Sequence, residues 1–166
     1  GLEISDQGVR FLRIEGGQLK QAFAQLPPGV IAGSKILDRP KLVAALKAVH
    51  NQIDPPKRPT HVIFVMPSHN IYTQSFSIPP VPEKDFVEAA RLNLEMISPI
   101  EAKNSYRSYQ LISEGKGGKT EALAAFTHSQ EVDDFLSVLK EADFIVIAVE
   151  FLALATVRLI KEYGVG

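Results

Sequence analysis

Apolar and polar residues recur along the chain regularly enough to divide most of it into elements. Leu2–Ser5 and Val9–Glu15 are β-prone runs separated by Asp6-Gln7-Gly8, the spacing of a hairpin. Gly16-Gly17 supplies a second turn into a third strand over Leu19–Leu26, which Pro27-Pro28-Gly29 ends. Val30–Leu37 reads as a short connector. Asp38-Arg39-Pro40 combines an N-cap with a proline in the first helical turn, and Leu42, Ala45, Leu46, Val49 and Ile53 then recur at helical spacing. Pro55-Pro56 closes that helix. Val62–Met66 is apolar without interruption, the pattern of a strand covered on both faces.

The character then changes. Tyr72, Gln74, Phe76 and Ile78 alternate with Thr73, Ser75 and Ser77, as in a strand buried on one face. Glu83–Ile97 carries Phe86, Ala90, Leu94 and Ile97 along one helical stripe, and Pro99 stops it. Strands over Tyr106–Ile112 and Glu121–Phe126 flank a glycine-rich loop. A helix over Ser129–Ala142 turns Val132, Phe135, Leu136 and Leu139 inward. Phe144–Val149 is a second fully apolar strand, followed by a helix from Phe151 to Tyr163. Two fully apolar strands call for helices on both faces of their sheet, whereas the strands between them do not. The predicted organisation is therefore an α/β lobe, residues 1–68 and 143–166, carrying an inserted α+β lobe, residues 69–142.

Composition narrows the function classes. The 166 residues contain no cysteine, and 18 Lys+Arg against 19 Asp+Glu leave a net charge of −1. A disulfide framework, a thiol nucleophile and Cys-type metal sites are excluded, and the basic footprint of a dedicated nucleic-acid binder is missing. The longest apolar stretch is interrupted by Glu150 and ended by Arg158, short of the ~20 residues a spanning helix needs. No leader peptide is visible. These features fit a soluble, cytoplasmic protein.

The motifs that could carry chemistry are weak. Gly118-Lys119-Thr120 ends like a P-loop, but Ser113 stands where the first glycine belongs, and the segment lies between two strands. A hairpin loop is the better reading. His50, His61, His69 and His128 show no ligand spacing, so no metal site is expected. Glu83, Asp85 and Glu88, and likewise Asp133 and Asp134, fall on first turns or polar faces of helices, where acids favour the positive dipole end. No catalytic residue is assigned. Tyr72, Phe76, Tyr106 and Tyr109 sit on the strands of the insertion, where they either pack under its helix or offer an exposed sheet surface to a partner peptide.

Leu2-Glu-Ile-Ser-Asp-Gln-Gly-Val-Arg10 resembles the opening of the actin-like ATPases, in which an acidic-x-Gly turn holds nucleotide phosphates. Leu26-Pro-Pro-Gly-Val30, Val65-Met-Pro-Ser68, Ile97-Ser-Pro-Ile100 and Val149-Glu-Phe-Leu-Ala-Leu154 continue the likeness in order, and it points to the FtsA/PilM branch. The resemblance implies an α/β fold, half of an actin-like (ribonuclease H-like) core with an inserted strand–helix–strand–strand α+β subdomain. It implies a scaffold of type IV pilus assembly at the inner membrane, whose first half has a groove for the cytoplasmic tail of a PilN-like membrane protein. The similar cytoplasmic domain of GspL-like type II secretion proteins is the other reading, and a fragment of an active actin-like ATPase is a third.

By the same resemblance Glu3, Ser5, Asp6, Gln7 and Gly8 form the phosphate turn in altered form. Glu3 replaces the usual Asp and Ser5 the usual Gly, and a β-carbon at Ser5 hinders close backbone approach to phosphate. No cofactor is expected for this chain alone; ATP and magnesium would belong to a full-length parent with a second half. Negligible ATP hydrolysis is the corresponding expectation.

Overall fold

The structure is a computed structural model that describes residues 1–53, 58–67, 69–114, 116–152 and 155–156. Along the chain run β1 (Leu2–Ile4), β2 (Gly8–Glu15), β3 (Gln18–Gln25), β4 (Ile31–Ala32), β5 (Lys35–Ile36) and α1 (Arg39–Ile53). Then come β6 (Thr60–Met66), β7 (Tyr72–Ile78), α2 (Glu83–Ile97), β8 (Ser105–Glu114), β9 (Thr120–His128), α3 (Ser129–Glu141) and β10 (Phe144–Phe151). The chain forms two compact units, Gly1–His69 with Asp133–Gly166, and Asn70–Val132.

The larger unit is built on a five-stranded sheet of order β10-β6-β1-β2-β3. β1, β6 and β10 run parallel, with Leu2 opposite Phe64 and Phe144 opposite Thr60. β2 and β3 continue antiparallel from β1 as a meander, with Leu2 opposite Phe11 and Phe11 opposite Ala22. One face of the sheet presents Leu2, Ile4, Val9, Phe11, Val62 and Phe64, all buried. Leu42, Leu46 and Val49 of α1 pack in the same core, and the Phe135 ring of α3 meets the Phe64 ring at 5.6 Å. Fully burying each such side chain contributes about 1.5–3 kcal/mol.

Burial alternates along β6, where Thr60, Val62, Phe64 and Met66 are buried while His61 and Ile63 are exposed; in β10 Phe144 is buried, and Ile145, Ile147, Ala148 and Val149 are exposed. Among the described residues, α1 and α3 lie on the same face, with His50 of α1 against Thr60 and Phe135 of α3 against Phe64. The helix expected over 151–163 lies for the most part outside the described residues, as does Pro55-Pro56. In addition, residues 133–142, grouped with the insertion by pattern, cluster with the larger unit. The cause is their packing: Phe135, Val138 and Leu139 are fully buried, and Arg39 of α1 reaches Glu141 at 2.9 Å and the Ser137 hydroxyl at 2.9 Å.

The smaller unit has a three-stranded antiparallel sheet, β7-β9-β8, with α2 on one face. Phe76, Ile78, Ala122, Ala124 and Phe126 from the strands meet Ala90 and Leu94 from the helix. The glycine-rich segment joins β8 to β9 as a hairpin connection, with Gly117 and Gly118 both at φ 73. A strand, not a helix, follows it, and the P-loop alternative has no structural basis.

Candidate functional site: a cleft at the ends of the parallel strands

The residues that follow β1, β6 and β10 converge. Ser5 and Asp6 leave β1, Pro67 and His69 leave β6, and Leu152 leaves β10; together with Gly33 and Ser34 from the β4–β5 tip they line a cleft of about 350 Å³. Glu3, Ile4, Ile31, Val65 and Met66 complete it. Open α/β sheets bind ligands at the carboxyl ends of their strands, so topology alone makes this the place to look. The tight β4–β5 pair forms because Gly33 and Ser34 both adopt left-handed backbone, at φ 55 and φ 64. Ser34 is a non-glycine residue in that region and is almost wholly buried, and its hydroxyl donates to the Pro67 carbonyl at 3.3 Å. That bond ties the hairpin tip to the end of β6 and fixes the cleft's width.

The turn between β1 and β2 is internally closed. The Ser5 N–H donates to the Gly8 carbonyl at 2.9 Å, and the Ser5 hydroxyl donates to the same oxygen at 3.3 Å. Leu26 N–H donates to the Gln7 carbonyl at 3.0 Å, anchoring the turn to the end of β3. Glu3 pairs with Arg10 across the β1–β2 register at 3.6 Å, and the Arg10 guanidinium lies 5.5 Å from the centre of the Phe23 ring. The five residues expected to form a phosphate turn are thus contiguous, with Glu3, Ser5 and Asp6 facing the cleft and Gln7 and Gly8 outside its lining.

Among the described residues two carboxylates line the cleft and no lysine or arginine does, while the Ser5 N–H is already used within the turn. Bare phosphate oxygens would meet like charge there, and a nucleotide would need a bound cation between its phosphates and these carboxylates.

The four aromatics expected at a partner groove divide. Phe76 and Tyr109 pack edge-to-face at 6.1 Å in the core under α2. Tyr72 shares their face of the sheet but is 47% exposed, and Tyr106, 49% exposed, lies on the opposite face. His50, a lone histidine by sequence, is buried against the Thr60 hydroxyl at 3.2 Å. No cluster of metal-ligating side chains occurs among the described residues. Sequence reading did not single out Gly33, Ser34 or His69 for the cleft; the Gly33-Ser34 pair was the one available turn signal.

A mixed five-stranded α/β sheet, a strand–helix–strand–strand insertion and a cleft at the parallel strand ends define a two-unit α/β class of domain. The PilM–PilN type IV pilus biogenesis complex contains a chain with this fold: 98% of the present chain superposes on 50% of that one, at a TM-score of 0.80 and 19% identity. The cytoplasmic domain of EpsL, an inner-membrane component of the type II secretion system of Vibrio cholerae, matches 89% of the chain over 54% of its own, at a TM-score of 0.56 and 15% identity. The chain therefore spans about half the length of these solved chains. No family profile and no curated protein matches the sequence. At these identities the likeness is one of fold, and the fold is PilM-like.

Proposed function

We propose that the chain is a non-enzymatic recruiting module of type IV pilus assembly, which docks the cytoplasmic tail of a PilN-like inner-membrane protein. The observation that carries this reading is the agreement over 98% of the chain, at a TM-score of 0.80, with a chain solved as a PilM–PilN complex. The residues support it from the other side. Among the described residues the cleft holds no nucleophile next to a base, and no lysine or arginine lines it. No described helix is long and apolar enough to cross a membrane; in this reading contact with the inner membrane runs through the partner. ATP with magnesium would need groups beyond those this cleft supplies.

A second reading, a platform of type II secretion, is favoured by the EpsL likeness, although the lower TM-score of 0.56 ranks it behind. Fluorescence anisotropy with labelled cytoplasmic tails separates the two. Saturable binding of a PilN-like tail, with none to tails of type II secretion membrane proteins, is the expected result. The reverse pattern favours the second reading, and binding of neither overturns the recruiting role.

A further inference from the structure

We infer that the free edge of β7 is a self-association surface, where a second copy of this chain adds its own β7 antiparallel across a two-fold axis. The inference does not depend on the recruiting reading. Among the described residues, β7 lies at the outside of the order β7-β9-β8 and pairs with β9 alone. An unpaired edge is a template for another strand, and proteins blunt it with charges, proline or a bulge. The other edges of the two larger sheets carry such devices. β3 holds Lys20, and β10 has a bulge between Val146 and Ala148. β8 has a bulge between Leu111 and Ser113, and its Arg107 turns inward onto Glu95 at 3.0 Å. β7 contains no charged residue and no proline, and its seven residues pair with β9 without a register shift.

The surroundings of that edge identify the occupant. Arg91 and Glu95 of α2 bond to one another and Glu95 to Arg107, so this flank of the helix faces β8. Leu92 and Met96, each one residue further round the helix, leave on the flank away from β8. Both are exposed, and Met96 at 84% is the most exposed large hydrophobic side chain among the described residues. Tyr72, Phe126 and Arg107 form one row across the sheet, so the half-exposed Tyr72 stands level with that end of α2. A two-fold axis at Ser75 pairs Tyr72 with Ile78, Gln74 with Phe76 and Thr73 with Ser77 of the copy, and Ser75 with itself. The register lays Tyr72 on Ile78 on the α2 face, and hydroxyl on hydroxyl on the other. The strand is self-complementary, as an isologous interface requires. A neutral copy meets this neutral edge without like-charge repulsion, whereas the edge offers no charge to the lysine and arginine excess of a juxtamembrane tail. One strand pair falls at the small end of interfaces, which makes the dimer concentration-dependent.

The test uses the full chain. Sedimentation velocity over a dilution series is expected to show the mass rising from one chain to two. Hydrogen exchange followed by mass spectrometry should show Tyr72–Ile78 protected in concentrated protein and released on dilution. Ser75→Lys sets two ammonium groups against each other on the axis and should weaken the dimer by about fivefold or more, and Ser75→Glu likewise. Mixing the two variants should restore association, because opposite charges then face each other. Ser108→Lys, at an exposed serine of β8, adds the same charge away from the axis and should leave association unchanged. Unfolding midpoints of the variants in dilute solution should match wild type, which separates the effect from a folding defect. A chain that stays single at every concentration overturns the inference. So do Ser75→Lys dimers as tight as wild type's, a mixture no tighter than either variant alone, or a dimer whose protection maps away from β7. Protection of β7 by a PilN-like tail in a chain that does not dimerise assigns the edge to the tail and overturns the second copy.

Discussion

A β-carbon placed on Gly8 would lie 2.6 Å from Cε2 of Phe23, and 2.7 Å from the carbonyl oxygen of Ala24. The glycine that completes the acidic-x-Gly turn is therefore required by the pairing of β2 with β3. It needs no bound phosphate to explain it.

Gly8→Ala is expected to destabilise the larger unit by about 1–3 kcal/mol, the cost of forcing atoms into a filled space. Adding Phe23→Ala removes the ring contact but leaves the Ala24 backbone oxygen in place, so recovery should be partial. Urea unfolding of the single and double variants checks this. Full recovery in the double variant would show that the ring alone sets the constraint.

The buried pair His50 and Thr60 gives a second test. Each is 4% exposed, and the hydroxyl lies 3.2 Å from the imidazole Nε2, with the imidazole edge-on to Phe144 at 5.2 Å. Thr60→Val keeps the shape and leaves a buried ring nitrogen without this partner, at a cost of about 1–3 kcal/mol. His50→Leu combined with Thr60→Val should cost less than the two single changes summed, because both ends of the bond are then removed together. Strict additivity in a double-mutant cycle would mean the two groups are not coupled.

Asp38 caps α1 and supplies a pH dependence. The Lys41 ammonium at 2.7 Å and then the Lys41 backbone N–H at 3.1 Å hold its carboxyl below the ordinary value of 3.8. A carboxyl whose folded value is depressed stabilises the protein above its unfolded value, and that contribution disappears as pH falls through the folded one. The affected window therefore lies below 3.8. In a carboxyl-carbon NMR titration the Asp38 midpoint should fall under that of an unstructured aspartate, and Lys41→Gln should move it back up. An unmoved midpoint in the variant would assign the depression to the backbone bond instead.

Much of the fold is legible in local pattern, and the exceptions share a cause. The turns at Asp6-Gln7-Gly8 and Gly16-Gly17, the Asp38 cap and the stripe of α2 are all written within a few residues. The placement of β1 between β2 and β6 is not, because Leu2 meets Phe64 across a separation that local periodicity does not span. Likewise α3 carries an inward stripe by sequence, yet only the Phe64–Phe135 contact reveals which core it serves. The two-residue strands β4 and β5 are too short for any period, so the cleft wall bearing Gly33 and Ser34 stayed a connector. The acidic turn was readable as a motif, whereas the internal bonds that close it are geometric facts about Ser5 and Gly8.

Tyr72 and Tyr106 can decide where a partner's tail lies. Both are about half exposed, at 47% and 49%, so replacing either with serine should leave unfolding within about 0.5 kcal/mol of wild type. Phe76→Ala, by contrast, empties a core position that is 8% exposed and should cost about 3–5 kcal/mol. Tail affinities measured on the two tyrosine variants can then be read as contact effects, without a folding defect. The register places Tyr72 and Tyr106 on opposite faces of the three-stranded sheet, so a tail lying on one face reaches only one of them. The expected outcome is a loss of about five- to thirtyfold for one variant and none for the other, the range of an aromatic anchor. Unchanged affinity in both moves the groove off this sheet; a loss confined to one variant is also the pattern of a tail added as a strand at that edge, β7 for Tyr72 or β8 for Tyr106, whereas equal losses in both require a tail that touches both faces.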